Sequence, residues 1–202
     1  TILYVAIDKK YVGYVLIADK IKQDSSKTIR ELKAMNIKET VMLTGDKKEV
    51  GEYVAKKLNM DKVYTELLPD GKVEKVEELL KQKSEKGKLV FVGDGINDAP
   101  VLTISDIGVA MGGLGSDAAI EAADIVIMTD ETSKISKAIN LSKKTMRIVR
   151  ENIIFAIFVK IAVLVLTAFG ASTMWEAVFA DVGVSVIAII NALRMLNIKK
   201  FE

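Results

Sequence analysis

The residues best placed to do chemistry are Asp94, Asn97 and Asp98, in the octapeptide Gly93-Asp94-Gly95-Ile96-Asn97-Asp98-Ala99-Pro100. Two carboxylates so close together suit a hard cation bound by oxygen, most simply Mg²⁺. Asn97 and Asp98 fall at the start of an expected helix, where free N–H groups favour an anion. The set therefore reads as a Mg²⁺ site clamped to a phosphate. Any one of these residues reads as well as an ordinary turn or cap residue. Thr44-Gly45-Asp46 adds a hydroxyl, a backbone N–H and a further carboxylate. Lys72, in Leu67-Leu68-Pro69-Asp70-Gly71-Lys72, adds a point charge for a phosphate oxygen. Phosphoryl transfer needs mostly positioning and charge neutralisation, and this set offers both. It lacks an evident nucleophile. Asp19 also ends a strand-like run, but Ala18, Lys20 and Ile21 make no phosphate-binding turn. The polar part of the chain reads as half of a phosphotransfer site.

Turns this far apart in sequence need a scaffold that gathers them. The apolar run Leu89-Val90-Phe91-Val92 predicts a buried strand of a parallel sheet, ending at Gly93, where the backbone can turn sharply and approach a ligand. Further strands are expected at Thr1–Ile7 and Gly13–Ala18 around the turn Asp8–Tyr11, at Glu39–Leu43, Val63-Tyr64, Ile107–Ala110 and Ile125–Met128. Helices are expected from Ser25 or Ser26 to Met35 with Ile29 and Leu32 buried, from Lys48 to Leu58 with Val50, Val54 and Leu58 on one face, and from Pro69 to Lys83. Alternating strands and helices imply a doubly wound parallel sheet of the α/β class, with ligands at the carboxyl ends of its strands.

The chain has 202 residues and a net charge of +2, so nothing in its bulk charge argues for nucleic acid. Cysteine and histidine are both absent, which leaves oxygen as the metal donor and removes the commonest general base. The opening Thr1-Ile2-Leu3, without Met, predicts a cut fragment without a signal peptide. Charge is dense to about Glu151 and sparse from Asn152 to Asn191. Two apolar runs, Ile153–Gly170 and Met174–Leu193, are each long enough to cross a hydrocarbon core of about 30 Å. They are apolar around the whole helix, and a buried soluble hairpin is the alternative. Lys143, Lys144, Arg147 and Arg150 precede the first run; Arg194, Lys199 and Lys200 follow the second. The connector has neither Lys nor Arg, which places both outer ends in the cytoplasm. Lys160 and Asp181 lie inside these runs, at depths that let them meet, and ionisable groups there are functional by default. A plain ion pair, or an ion ligand whose place the lysine takes when empty, both fit. Glu176 falls near the outer interface, and Gly183 and Ser185 suit close packing.

Thr44-Gly45-Asp46, Lys72 and Gly93–Pro100 together resemble the phosphorylation domain of P-type ATPases, which has a haloacid-dehalogenase-like fold. Ser105–Gly112 and Asp117–Asp124 continue the resemblance. It covers essentially the whole chain and ends, as in the heavy-metal-transporting branch, in a two-helix transmembrane hairpin. It implies that Thr44, Gly45, Asp46 and Lys72 contact an aspartyl-phosphate or the phosphates of ATP. It implies also that Asp94 and Asp98 bind Mg²⁺, with Asn97 completing the site. Residues 1–11 would end a nucleotide-binding domain, 12–145 form the phosphorylation domain without its first strand and nucleophile, and 146–202 form the hairpin. The family's Asp-Lys-Thr-Gly-Thr motif and its Cys-Pro-Cys-type metal helix are missing. The chain thus resembles the C-terminal piece of a multi-pass cell-membrane pump, unable to turn over ATP alone.

The family's usual Thr-Gly-Asp-Asn and Pro-Glu-Asp-Lys read here Thr-Gly-Asp-Lys47 and Pro-Asp-Gly71-Lys72. The Met–Ser and Tyr–Asn pairs of copper pumps are absent; Phe179-Ala180-Asp181-Val182-Gly183 and Lys160 resemble zinc, cadmium and lead exporters instead. There Asp181 would be a transport ligand and Lys160 its counter-charge. The rival expectations are a copper-type pump, a soluble phosphatase of the same fold, and a non-catalytic membrane-anchored module.

Overall fold

The computed structural model describes residues 2–16, 20–93, 96–112, 117–171 and 173–196. They form two compact units, Thr1–Lys134 and Ile135–Glu202. The first begins with an antiparallel hairpin, β1 (Ile2–Ile7) and β2 (Lys10–Leu16). Its turn is tighter than the sequence suggests. Ile7 pairs with Lys10, and Asp8 and Lys9 both take positive φ, 47° and 61°. That is the two-residue turn whose twist matches a hairpin. Both faces are open: Leu3 is 51% and Tyr4 74% exposed. The expected strand end at Ala18, and Asp19, lie outside the described residues.

The α/β body follows as α1 (Ser25–Ala34), β3 (Val41–Leu43), α2 (Lys48–Leu58), β4 (Lys62–Tyr64), α3 (Pro69–Gln82) and β5 (Val90–Gly93). Then come a 3₁₀ turn (Ile96–Asp98), α4 (Ala99–Ile104), β6 (Ile107–Met111), α5 (Asp117–Ala122) and β7 (Ile125–Ile127). Among the described residues the strands make two parallel sets, β3–β4 and β5–β6–β7. Strand β6 is the core, with Val109, Ala110 and Met111 buried; Val101 and Leu102 of α4 are buried beside it. Three expectations change. Val90 and Val92, expected to be buried, are 41% and 36% exposed; they share one strand face, which is left uncovered. Val50 is 50% exposed because Gly51 and Ala55 bring α2 down on its neighbouring face. On α1 the fully buried residue is Thr28, with Ile29 and Leu32 half-buried.

An aspartate staples each parallel pair at the amino end of its strands. Asp61, just before β4, accepts from the Thr40 amide at 2.8 Å and from Lys33 at 2.6 Å. Asp106, just before β6, accepts from the Leu89 amide at 2.8 Å and from Lys83. Asp124, just before β7, accepts from the Gly108 amide at 2.8 Å. Fastening the amino ends leaves the carboxyl ends for the site. The Leu89 amide, then Lys83, holds the Asp106 carboxyl at about 2. A carboxyl depressed in the folded state stabilises above its unfolded value, about 3.9, and that contribution is lost as pH falls through about 2. Asp106→Asn is therefore expected to lower stability at pH 5–7 and to flatten its fall on acidification. Circular dichroism of the acid transition checks this; an unchanged slope below pH 4 would contradict it.

The second unit is helical. Helix α6 runs unbroken from Ser133 to Ala168, so the first apolar run extends a polar helix rather than starting one. The second run is one continuous helix in which a π turn (Phe179–Gly183) separates α7 (Met174–Val178) from α8 (Val184–Leu193), followed by a 3₁₀ turn to Leu196. The two runs are long and apolar enough to cross a membrane, and their apolar windows are 0% and 11% buried.

Candidate functional site

Lys72 sits in the first turn of α3, which Pro69 starts without losing a helical N–H bond. Its Nζ is 2.8 Å from Oδ1 of Asp98, which closes the 3₁₀ turn after β5. The pair is well covered, with side chains 19% and 12% exposed. Gly93 ends β5 directly beneath it: a Cβ there would stand 2.8 Å from Asp98 Oδ2 and 2.9 Å from Asp98 Cβ. Glycine at this position makes room for the carboxylate itself. Across the site, Thr44 follows directly on the end of β3. The Thr44 hydroxyl donates to Asp46 Oδ2 at 2.8 Å, and the Asp46 amide approaches that hydroxyl at 3.1 Å. The loop is fixed by the Leu67 amide donating to Thr44 O and the Glu66 amide donating to Asp46 O, with Glu66 at φ 58°.

These pieces face one open cavity of about 330 Å³, lined by Leu43, Thr44, Gly45, Lys72, Gly93 and Asp98, among others. Four predicted residues thus converge: Thr44, Gly45, Lys72 and Asp98. Asp46 turns inward to Thr44 and does not line the cavity, and Asn97 is exposed outside it. Asp94 and Gly95 lie outside the described residues. Lys22 and Thr132 also line the cavity, and sequence reasoning missed both. Their only trace was a basic residue after β2 and a threonine before α6. A nearby clasp holds them. The Ser133 amide donates to Asp24 Oδ2 at 2.8 Å, Thr28 and Thr132 share a hydrogen bond, and Lys22 pairs with Asp130. The Ser133 amide, with help from Thr132 and Lys22, holds the Asp24 carboxyl below the usual carboxylate range.

In the helical unit Lys160 Nζ lies 3.1 Å from Asp181 Oδ1. The π turn bears on this geometry. It inserts an extra residue at Asp181, a distortion frequent at functional sites. Ala180 and Val184 are buried, while the Asp181 side chain stays 76% exposed. The Phe179 ring covers Gly183, where a Cβ would meet it at 2.5 Å. Ser185 donates to the Asp181 carbonyl at 2.9 Å. Gly183 thus seats a ring of its own helix. Glu176 closes a capping box with Thr173. Among the described residues no three acidic side chains gather.

The open cavity lies at the carboxyl ends of parallel strands of an α/β fold, walled by Thr, Gly, Lys and Asp. The chain belongs to the haloacid dehalogenase-like hydrolases, whose family pattern matches residues 2–103. It is homologous over nearly its whole length to cadmium- and zinc-transporting P-type ATPases. It is 57% identical over 98% of its length to the cadmium, zinc and cobalt-transporting ATPase of Bacillus subtilis, of which it covers 28%. It is 53% identical over 96% of its length to the zinc-transporting ATPase of Synechocystis, of which it covers 27%. A crystal structure of a zinc-transporting PIB-type ATPase in the E2.Pi state superposes with a TM-score of 0.84 at 35% identity, over 96% of this chain and 31% of that one. The chain spans little more than a quarter of the curated relatives it matches.

Proposed function

We propose that this chain is the C-terminal part of an ATP-driven exporter of Zn²⁺, Cd²⁺ or Pb²⁺ in the cell membrane, working through an aspartyl-phosphate. The observation that carries the reading is the Lys160–Asp181 pair in an apolar helix pair, in a chain that also walls a phosphate cavity. Residues 12–145 serve as phosphorylation domain and 146–202 as membrane hairpin with cytoplasmic ends. Residues 1–11 belong to the nucleotide-binding domain, and the open faces of the hairpin suit packing against the rest of it.

The missing strand has a natural place. Leu43 of β3 and Val92 of β5 face the same cavity, and among the described residues the two parallel sets are unpaired with each other. One parallel strand from elsewhere in the longer protein would join them and bring the acceptor Asp to the cavity. Lys72 then offers its charge to a phosphate oxygen, while the Gly45 amide, and the Thr44 hydroxyl once it turns its proton from Asp46, orient the group. The carboxylates fit Mg²⁺: the sequence has neither Cys nor His, and Gly93 is kept bare for Asp98. Asp94 and Asp98 would hold that ion, with Asn97 nearby, and it would supply charge neutralisation for phosphate. The transported ion takes Asp181 as one donor and displaces Lys160, which keeps the empty site neutral. Carboxylate favours a divalent ion over Cu(I).

In the complete pump, Asp181→Ala is expected to abolish Zn²⁺-stimulated ATPase activity while phosphorylation by inorganic phosphate survives. Unchanged zinc stimulation would reduce Asp181 to an ion-pair partner, and stimulation of the unaltered pump by Cu(I) alone would overturn the ion assignment.

A further inference from the structure

We propose that Asn152 and Asn191 form a lock between α6 and α8 that sets the orientation of Asp181, making both asparagines positioning residues for transport. The proposal rests on the assignment of Asp181 to the transported ion. The two helices meet along a seam of Ile148, Asn152, Ala156, Val159 and Val163 on α6, each less exposed than most of its neighbours. Val184, Ala188, Asn191 and Met195 show the same pattern on the other side. The spacing of three and four is that of helices packed side by side. Most of these side chains are apolar, and Ala and Val fit equally well one step along.

The polar exceptions form one directed chain. Arg194 Nη1 donates to Asn191 Oδ1 at 2.7 Å, Asn191 Nδ2 to Asn152 Oδ1 at 2.8 Å, and Asn152 Nδ2 to the Ala188 carbonyl at 3.1 Å. Arg194 also lies 3.5 Å from Glu151, the neighbour of Asn152. Each amide oxygen already accepts one bond from a neighbour in this chain, which favours a packing role over an ion-binding one. An amide pair in an apolar seam selects one register, because any other leaves its polar groups unpaired. Lys160 lies roughly 12 Å along α6 from Asn152, and Asp181 roughly 15 Å from Asn191, at 1.5 Å per residue.

The error such a lock prevents is specific. The π turn between α7 and α8 holds an extra residue. Relaxed to regular α-helix, it would rotate Asp181 against the α8 seam by about 100°, one residue's turn. Asp181 would leave Lys160 and the exposed side it now occupies. Holding α8 at Asn191 keeps the π turn in place.

The test uses the complete pump in lipid nanodiscs, with Asn152→Leu and Asn191→Leu combined so that neither amide is left unpaired. Spin labels introduced through unnatural amino acids at Phe158 and Ile190, both exposed, report the rotation of α8. The expected result is a shift or splitting of the label distance by about 5 Å, as a turn of this size moves an outward side chain. The Zn²⁺ concentration for half-maximal ATPase activity should rise at least about tenfold, with phosphorylation from inorganic phosphate within about twofold of normal. Adding Asp181→Asn should then cost less than it does in the otherwise unaltered pump, because the two changes act on one geometry. Arg194→Gln, a milder change at the end of the chain, should give a smaller shift in the same direction. An unchanged distance with unchanged zinc dependence overturns the lock. Loss of bound zinc at saturation with an unchanged distance makes the asparagines ligands and overturns it too. A pump indifferent to Zn²⁺ and Cd²⁺ would defeat the transport assignment, and the label distance would still decide the lock.

Discussion

Lys72→Met in the complete pump is expected to lower phosphoenzyme formation, from ATP and from inorganic phosphate alike, by about 100-fold or more. Two effects add. A phosphate loses its point charge in a partly enclosed site, where one preorganised electrostatic contact is worth about 3 kcal/mol. Asp98, with only 12% of its side chain exposed, also loses the ammonium 2.8 Å away. Stranding one member of a covered pair destabilises the fold by up to about 3–5 kcal/mol, and by less here because water still reaches both groups. Lys72→Met combined with Asp98→Asn separates the effects. The double variant should regain much of the lost stability, since no bare carboxylate remains, and none of the activity. Phosphoenzyme levels and thermal denaturation measured on all three variants supply the two readouts. A single variant with activity within threefold of normal would remove Lys72 from the phosphate site.

The two candidate sites share a device. Each holds a lysine against an aspartate, and each is neutral before its ligand arrives. They differ in cover. Lys72 and Asp98 are 19% and 12% exposed, Lys160 and Asp181 60% and 76%. In the proposed phosphate role the first pair is poised for an anion that approaches the lysine. In the proposed transport role the second leaves a carboxylate open to donors beyond this chain, because one carboxylate does not complete a divalent ion's coordination.

Much of this was legible in the residues because it is carried by local chemistry. Helix α2 has the bounds its flanks predict, Pro69 opens α3, and Thr44, Gly45, Lys72 and Asp98 meet because parallel strands deliver their ends to one edge. What was not legible depends on partners distant in sequence. Asp61, Asp106 and Asp124 look like turn residues until the neighbouring strand's amide is seen beside each carboxylate. Asp46, two residues after Thr44, was expected at the cavity and instead folds back on the threonine hydroxyl. Hydropathy marked the second apolar run but could not register one extra residue in a helical turn, so the π turn at Asp181 stayed hidden. Val90 and Val92 carried a buried strand's composition without its cover, and composition cannot say which faces are covered.

Gly93→Ala should be among the most damaging single-methyl changes in the polar half of the chain. The added Cβ would stand 2.8 Å from Asp98 Oδ2, 2.9 Å from Asp98 Cβ and 3.0 Å from the Phe91 ring. A carboxylate tip could swing aside, but Asp98 Cβ is fixed to the backbone of the 3₁₀ turn, so the turn itself must move. Overpacking of this kind costs about 1–3 kcal/mol. The larger effect is on chemistry, since a displacement near 1 Å in a phosphotransfer site costs about 100-fold in rate. Gly71→Ala is the matched control. A Cβ there meets only Leu67 Cδ2 at 3.7 Å, within helix α3, and alanine there should stabilise the helix by up to about 1 kcal/mol. Phosphoenzyme formation from inorganic phosphate should collapse in the first variant and persist in the second. Equal activity in the two would mean that the turn yields without moving Asp98, and would take from Gly93 its role as the seat of that carboxylate.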